Sequence, residues 1–473
     1  MQNSAKQIDI KDFGAVGDGM TVNTAPIQRA INECAQHGGG SVYVPAGDFV
    51  TGTIELKNNV YLELDAGATL LGSTDPVDYR KVFDNDNIVL NIGDSSPLNL
   101  DQYLIFAKGA HNIGILGRGT IDAQGGAFYD MEKTRKTDKH KPNGIEYTLK
   151  AWRPGPTIAF FDCEQLRIED ITLLNNPYYG VFLSGCTHVW VLKIRIETNA
   201  GFINGDGIHI QSSKNITISQ CHVDSEDDAI CIFTNCWGYY GDISDNCRAI
   251  TVSDCVLSSS CCGIRIGYSG SGAISDIVFS NIVIKRGQRA IDFICNGPSG
   301  YDNVPNFFGG SSIRNIIFTN ILANNVLLGI TANILPDAQM PACIENIVLS
   351  GLRINSSNGN YLVGSDMIPI KNITFCDTEF SISGRLASSS VALPDPAPVF
   401  SHIAFSHGLI IRNTEDIRFF NSRILFKPDA CGWKSGVFIE RSRKINDKGL
   451  QIEKDSACEK ERIVMAISDH DAQ

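Results

Sequence analysis

The sequence predicts an all-β solenoid, a parallel β-helix with one N-terminal capping helix. Two observations predict it: a short phrase of alternating apolar and polar residues recurs, and its spacing is close to the roughly 20–30 residues of one coil in repeat proteins of this kind. The phrases begin at Leu166, Val189, Ile216, Ile250, Ile277, Ile316, Ile347 and Ile373. From 166 to 347 the steps are 23, 27, 34, 27, 39 and 31 residues, which indicates one strand per coil and loops of variable length.

Length and composition fit one large domain. The chain has 473 residues, of which 43% are hydrophobic. Each coil of a solenoid contacts only its neighbours, so we expect a single domain over 1–473. The chain is also expected to be a monomer. The net charge of −12 disfavours nucleic acid as a partner, because phosphate binding needs a basic face.

The sequence also bears on the membrane and the compartment. No run of 18 or more apolar residues exists, so a membrane span is not expected. The segment Met1 to Gln7 lacks the basic and then apolar pattern of a signal peptide. Two alternatives remain for the compartment: the protein is cytoplasmic, or the chain is a mature form that is secreted or periplasmic.

The ends of the solenoid are expected to differ. A helix over about 22–36, capped by Asn23 or Thr24, is predicted to cover the first coil. Its apolar face consists of Ile27, Ala30, Ile31 and Cys34. Coils are expected over about 40–425. The charged segment of about 428–473 has weak periodicity and is interpreted as a polar tail or loose cap.

The fifteen cysteines are interpreted mainly as small buried thiols, since a chain this long shows no dense pairing pattern. Four of them fall where a coil turns inward: Cys163, Cys186, Cys221 and Cys255. Cys261 and Cys262 are adjacent and have no CxxC partner, so a zinc site is not expected.

Two acidic segments lie about one coil apart. Asn204-Gly-Asp206 and the pair Asp227-Asp228 are separated by 21 residues, counted from Asp206 to Asp227. Residues one coil apart stack, and neighbouring strands lie about 4.8 Å apart, so three carboxyl groups are expected on one patch. Glycosidases use such an arrangement, with one carboxyl protonated and its neighbours ionised. The alternative is a set of turn-forming or calcium-binding aspartates.

Several segments in order along the chain resemble glycoside hydrolase family 28, the polygalacturonase family. These segments are Asp12–Thr24, Gly119–Asp122, Arg153-Pro154, Asn176-Pro177, Asn204–Asp206 and Asp227-Asp228. The resemblance runs over roughly residues 8–300. It implies a right-handed parallel β-helix of the pectin lyase-like type.

The resemblance also implies roles for the acids. Asp227 corresponds to the general acid, and Asp206 and Asp228 correspond to the pair that positions and deprotonates water. Asn204 falls on the asparagine of the family motif. Three clustered carboxyls cannot all ionise easily, so one of them should keep its proton near neutral pH. The reaction so described needs no metal and no cofactor.

Two departures from the family bear on the substrate. Cys262 stands where the family has a histidine, and Asp292 and Ile294 stand near its arginine and lysine, which hold a galacturonate carboxylate. The usual clamp for an acidic sugar is therefore missing. Arg265 or Arg289 is a candidate replacement cation, the alternative for each being a solvated arginine.

Three further features are candidate contributors to a binding cleft. Tyr179 is a candidate for stacking on a sugar ring, or else a half-buried strand aromatic. His209 is a candidate hydrogen-bonding partner of substrate, or else a structural histidine. The loop that begins at Trp237 lengthens the coil after the acids and is expected to wall one side of the cleft.

The predicted function is hydrolysis of glycosidic bonds in a pectin-like polysaccharide or oligosaccharide, by inversion, with plain polygalacturonate a poor substrate. Three alternatives remain at this point. A polysaccharide lyase shares the fold but needs a lone basic residue and usually calcium. A phage tailspike or surface adhesin uses the coils for binding alone, and a sugar transferase or epimerase reuses the acids.

Overall fold

The structure is a computed structural model that describes residues 7–83, 89–90, 98–99, 101–136, 145–234, 246–268, 270, 272–295, 310–336, 338, 341–383, 407–430, 432–433, 435–454 and 464–466. The chain forms a parallel β-helix. After the first coil, each coil gives one strand, or one part of a long strand, to each of three parallel ladders, named A, B and C in the order in which the chain visits them.

Ladder A consists of Gln7–Asp9, Gly40–Val44, Val60–Leu64, His111–Gly117, Glu164–Glu169, Thr187–Leu192, Lys214–Ser219, Cys247–Ser253, Ala273–Ile284, Ser312–Ile334, Cys343–Ser356, Ile370–Cys376, Thr414–Phe420 and Arg443–Asn446. Ladder B consists of Asp18–Val22, Gly47–Thr51, Ala68–Gly72, Thr120–Asp122, Thr172–Leu174, Arg195–Glu197, His222–Asp224, Val256–Ser258, the later parts of the Ala273, Ser312 and Cys343 strands, Glu379–Ile382, Ser422–Phe426 and Leu450–Lys454.

Ladder C consists of Ile54–Glu55, Ile105–Lys108, Ile158–Phe161, Val181–Ser184, Ile208–Gln211, Ile230–Phe233, Cys262–Tyr268, Gly287–Cys295, the end of the Ser312–Ile334 strand, Asn360–Val363, His407–Arg412, Ser435–Glu440 and Val464–Ala466. Two antiparallel pairs lie outside the ladders: Tyr129–Lys136 with Ile145–Leu149, and Val89–Leu90 with Leu98–Asn99. Single turns of 3-10 helix span Ile10–Phe13, Pro76–Asp78 and Gly125–Phe128.

The recurring phrase is the strand of ladder A, and its predicted spacing is confirmed. Leu166 pairs with Val189 and Val189 pairs with Ile216, and the four further steps up to Ile347 follow the same register. Within each phrase alternate apolar side chains point inward and are almost fully buried. Since strand side chains alternate between two faces, this pattern builds a continuous apolar core along the axis.

The predicted helix spans Thr24–Gln36. Its buried face is the predicted one: Ile27, Ala30, Ile31 and Cys34. Asn23 occupies the N-cap position, but its side chain accepts a hydrogen bond from the Val16 N–H at 2.7 Å and makes no capping bond. Gly39 follows the helix and has a φ of 107°. A Cβ on this residue would lie 2.3 Å from the Asn59 carbonyl oxygen. Only glycine fits this close approach.

The ladders extend beyond both expected limits. Gln7–Asp9 pairs with Gly40–Val44, so the first coil begins before the helix. At the other end Arg443–Asn446 extends ladder A and Leu450–Lys454 extends ladder B. The described part of 428–473 therefore forms ladder strands and not a tail, and the alternative of a loose cap stays a prediction. A terminal coil has one partner and a more exposed surface, which weakens the apolar periodicity.

The described cysteines are free thiols. The four predicted inward cysteines are buried, as expected. Within the described residues, the helix is neither long nor apolar enough to cross a membrane.

Candidate active site

Three aspartates lie where the chain passes from ladder B into ladder C. Asp206 precedes the strand Ile208–Gln211, and Asp227 and Asp228 precede the strand Ile230–Phe233 of the next coil. These two strands are hydrogen-bonded neighbours in ladder C. The topology therefore brings the three carboxyl groups to one edge of the same ladder.

The register between these coils differs by one residue from the expected one. Ile208 pairs with Ile230, an offset of 22, so Asp206 stacks on Asp228 while Asp227 lies beside Gly205. The Asp227 N–H donates to the Gly205 carbonyl oxygen at 3.2 Å. The expectation that the 21-residue separation stacks Asp206 on Asp227 is wrong, because the strand pairing and not the acid spacing sets the register.

Close backbone packing fixes the turns that carry the acids. A Cβ on Gly207 would lie 2.3 Å from Val223 Cγ1 and 2.5 Å from the Ala229 carbonyl oxygen. The hydroxyl groups of Ser225 and Ser259 donate to the Asp227 carbonyl oxygen at 2.7 and 2.6 Å. The two turns are therefore held both by packing and by hydrogen bonds.

The three carboxyl side chains are buried. Asp206, Asp227 and Asp228 are 5%, 7% and 2% exposed. Asp228 Oδ2 lies 2.9 Å from Arg265 Nη1, and Oδ1 accepts from the Cys262 N–H at 3.2 Å. Burial raises the pKa of Asp228 to about 7, and Asp227 and Asp206 add to the rise against the opposing effect of Arg265. Asp228 therefore exchanges its proton near neutral pH.

Asp206 has two buried neighbours on ladder C. His209 Nδ1 lies 2.9 Å from Asp206 Oδ2, and Cys231 Sγ lies 3.3 Å from the same oxygen. Burial lowers the pKa of His209 to about 3, so the ring is neutral and donates through Nδ1 to the carboxylate. His209 is 0% exposed and contacts Asp206 directly; its predicted contact with substrate stays a prediction.

Arg289 is buried, Arg265 is largely buried, and both are ion-paired, so the alternative of solvated arginines is wrong. Arg265 Nη1 contacts Asp228 at 2.9 Å, and its Nε contacts Asp292 Oδ2 at 3.2 Å. Arg289 Nε lies 3.7 Å from Asp292 Oδ1. Burial alone would lower the pKa of Arg265, but Asp228 and the other groups around it raise the pKa well above its usual value. Both cations that the sequence singled out therefore meet at Asp292.

Tyr179 is 7% exposed, which favours the half-buried alternative over an open sugar platform. Its ring stacks on Tyr178 at 4.0 Å and on His209 at 4.3 Å between ring centroids. Asn204 has a left-handed backbone, with φ of 56°. Its Oδ1 accepts from Arg153 Nη2 at 3.3 Å.

Arg153 is a residue whose role the sequence did not predict. Its Nη1 donates to the Tyr129 hydroxyl at 2.7 Å and to the carbonyl oxygens of Pro177 and Ile203 at 3.0 and 2.5 Å. Through these bonds it joins three segments behind Asn204. The only sequence signal was the Arg153-Pro154 pair within the family resemblance, because none of its partners is close in the chain.

Among the residues that the structure describes, two groups of buried side chains have potential metal-ligand atoms within 4.8 Å of one another: Asp206, His209 and Cys231, and Asp228, Cys261 and Cys262. In the second group Arg265 Nη2 already lies 3.4 and 3.1 Å from the two sulfur atoms. The expectation that the reaction needs no metal stays a prediction. The loop at Trp237 expected to wall the cleft lies outside the described residues.

Comparison with known proteins gives consistent matches. Residues 34–236 match the family described as Glycosyl hydrolases family 28. A probable polygalacturonase of Vitis vinifera is 26% identical over 383 residues, covering 73% of this chain and 74% of the relative. An exo-poly-alpha-D-galacturonosidase of Dickeya chrysanthemi is 26% identical over 443 residues, covering 85% and 71%.

Among solved structures, the exopolygalacturonase of Thermotoga maritima superposes with a TM-score of 0.66 at 22% identity. The superposition covers 80% of this chain and 88% of that chain. At this identity the likeness bears on the fold alone. The predicted fold class is confirmed: a right-handed parallel β-helix with an N-terminal helix.

Proposed function

We propose that this chain, whose residues 34–236 match glycosyl hydrolase family 28, is a divergent member of that family and that it hydrolyses O-glycosidic bonds in a pectin-like polysaccharide or oligosaccharide by inversion. One observation carries the proposal. Three buried carboxyl groups meet at one edge of ladder C, and burial raises the pKa of one of them, Asp228, to about 7. A site that shares protons near neutral pH suits acid and base catalysis.

The roles follow the family assignment. Asp227 gives its proton to the glycosidic oxygen as the bond to the anomeric carbon breaks. A water molecule attacks that carbon from the opposite face and passes its proton to the Asp206 and Asp228 pair. The neutral His209 supports Asp206 as an acceptor by donating to it, and Arg265 supports the ionised form of Asp228.

Inversion requires space for the water. Inverting glycosidases hold the acid and the base about 6.5–9.5 Å apart, whereas about 5 Å favours a covalent intermediate. The proposal places the water between Asp227 on one side and the stacked Asp206 and Asp228 on the other. The product is then released first with the anomeric configuration opposite to that of the substrate.

The substrate proposed is a neutral or mixed chain, such as one that contains rhamnose, galactose or xylose, and not plain polygalacturonate. The relatives above are named for polygalacturonate chemistry, but here Arg265 and Arg289 are already ion-paired with Asp228 and Asp292. An acidic ring would have to compete with these carboxylates. We further propose that the chain works as a monomer and takes neither nucleic acid nor membrane as a partner.

A glycan screen tests the proposal. The purified chain is incubated with pectic and related glycans, and the products are analysed by mass spectrometry, with Asp227→Asn as the inactive control. Products whose combined mass exceeds that of the substrate by one water for each cleaved bond support hydrolysis. Unsaturated products that absorb in the ultraviolet indicate a lyase, and binding without any cleavage indicates an adhesin; either result contradicts the proposal.

A further inference from the structure

Asp292 lies between two largely buried arginines, two strands along ladder C from the coil that carries Asp228. One carboxylate oxygen contacts Arg265 Nε at 3.2 Å, and the other lies 3.7 Å from Arg289 Nε. The side chains of Arg265, Arg289 and Asp292 are only 11%, 6% and 5% exposed. A buried charge is costly unless it is paired, so this carboxylate offsets a cost that two arginines would otherwise impose.

The position of Asp292 on ladder C explains the arrangement. Cys231 pairs with Arg265, Arg265 pairs with Asp292, and Asp292 pairs with Thr331, so these side chains form one column on the outer face. The Thr331 hydroxyl donates to Asp292 Oδ1 and fixes the carboxylate from the far side. Neighbouring strands lie about 4.8 Å apart, so Asp292 sits about two strands, or 10 Å, from the coil of Asp228.

Arg265 connects this carboxylate to the reaction site. Its guanidinium contacts Asp228 through Nη1 and Asp292 through Nε, so the two acids share one cation. Arginine donates from a rigid fork and suits a carboxylate from any source, whether a side chain or a uronic acid. Arg265 and Arg289 therefore form an anion-binding site, and the carboxylate of Asp292 already occupies it.

We propose that Asp292 is a specificity-determining residue: its carboxylate occupies the anion site formed by Arg265 and Arg289, so that the neighbouring subsite accepts a neutral sugar and excludes a uronate. The inference rests on the proposed function and deepens it, because it assigns the substrate preference to one side chain. It also has a consequence independent of hydrolysis. Removal of this carboxylate leaves a site that an added small carboxylate fills.

The first test uses Asp292→Ala with formate as the probe, and thermal unfolding as the readout. In the variant, formate is expected to raise the Tm by several degrees in a saturable manner, while chloride at equal ionic strength does not. The unchanged protein and the matched variant Asp292→Asn, whose amide still fills the space, should show no such difference between the two salts. A Tm of Asp292→Ala that responds equally to formate and chloride overturns the proposal.

If Asp292→Ala does not fold in chloride, recovery is measured during refolding. Soluble folded protein obtained with formate but not with chloride supports the proposal. Failure in both salts overturns it, because a filled anion site should restore the lost charge pairing. Neither readout depends on catalysis, so both stand even if the proposed function fails.

The second test measures binding of a matched ligand pair to the Asp227→Asn variant, which is expected not to cleave them. The pair is an oligogalacturonate and its methyl ester, which differ in charge on the same chain. The ester is expected to bind at least tenfold more tightly, and removal of the Asp292 carboxylate should reverse this order. Equal or tighter binding of the free acid to the variant that keeps Asp292 contradicts the inference. If neither ligand binds, the inferred preference of this subsite for a neutral sugar fails, whereas the proposed hydrolysis is decided separately by the glycan screen.

Discussion

At the scale of single residues, the site is a set of buried carboxyl groups, two of which have fixed hydrogen-bonding or charged partners. Asp228 has Arg265 and the Cys262 N–H, and Asp206 has His209 and Cys231. These partners differ in charge, since Arg265 is a cation and His209 is neutral. Neighbouring carboxyl groups with different partners have different pKa values, and in this way a site can hold one acid protonated and another ionised.

Replacement of Asp227 by Asn should remove the proton donor and keep the fold, because the two side chains have nearly the same shape. The rate should fall by at least about 100-fold, as for loss of a general acid. Turnover and circular dichroism are measured together. Asp170→Asn is the matched control, since Asp170 is exposed and both residues tolerate its left-handed backbone. Near-normal turnover by folded Asp227→Asn would refute the assignment.

The pH profile should show the ionisation of Asp228. As a base Asp228 must be ionised, so kcat/KM should fall as the pH drops through about 7, the pKa that burial gives this group. Arg265 lowers that pKa, so Arg265→Gln should move the acid limb to higher pH. Rates over pH 4 to 9 for both proteins decide the matter. An acid limb that does not move in Arg265→Gln speaks against the coupling.

What the sequence could predict at this scale depended on distance along the chain. The meeting of the three acids at one place was predictable, because they lie in two short segments one coil apart. The burial of Arg265 and its pairing with Asp292 were not, because the partners are 27 residues apart and meet only through the register of ladder C. Arg153 was missed for the same reason, since its partners Tyr129 and Ile203 are 24 and 50 residues away along the chain.

At the scale of elements, the turn between ladders B and C determines where each acid points. The steps of ladder A were predicted correctly, because its strands repeat a clear alternation of apolar and polar residues. The register at the acid turn was wrong by one residue, because turn length is not encoded in that alternation. A shift of one residue moves a side chain to a different partner, which is why Asp206 stacks on Asp228 and not on Asp227.

Replacement of Gly207 by Ala should disturb this turn. The added Cβ would meet the Ala229 carbonyl oxygen at 2.5 Å, so the backbone carrying Asp206 must move. We expect a loss of stability of about 1–3 kcal/mol, as for overpacking, together with a large loss of activity. Denaturant unfolding and turnover are measured against Gly126→Ala, where a Cβ meets only the Phe202 ring at 3.8 Å. A Gly207→Ala protein as stable and active as this control would contradict the account of the turn.

At the scale of the whole molecule, the coils stack into one continuous apolar core, and the charged C-terminal segment belongs to it. Leu450–Lys454 pairs with Ser422–Phe426 and Ser435–Glu440 pairs with His407–Arg412. The sequence suggested a tail there, because these last strands have polar surfaces and little periodicity. The pairing of these strands with the preceding coil shows that they cover the end of the apolar core.

Truncation after residue 427 should therefore destabilise the protein. It would remove the strands that cover the buried side chains Leu409, Ile411, Ile417 and Ile424. Newly exposed apolar surface and open strand edges favour aggregation. The Tm and the soluble yield of the shortened chain should both fall below those of the full chain. Equal values would mean that the C-terminal strands contribute nothing to the solenoid.

The stereochemistry of the first product tests the central claim most directly, namely that Asp206, Asp227 and Asp228 hydrolyse a glycosidic bond around one water molecule. Proton NMR follows the anomeric signals during the first minutes of cleavage, before mutarotation mixes the two forms. The account predicts that the released sugar first appears with the anomeric configuration inverted relative to the substrate. First release of the same anomer as the substrate would contradict it.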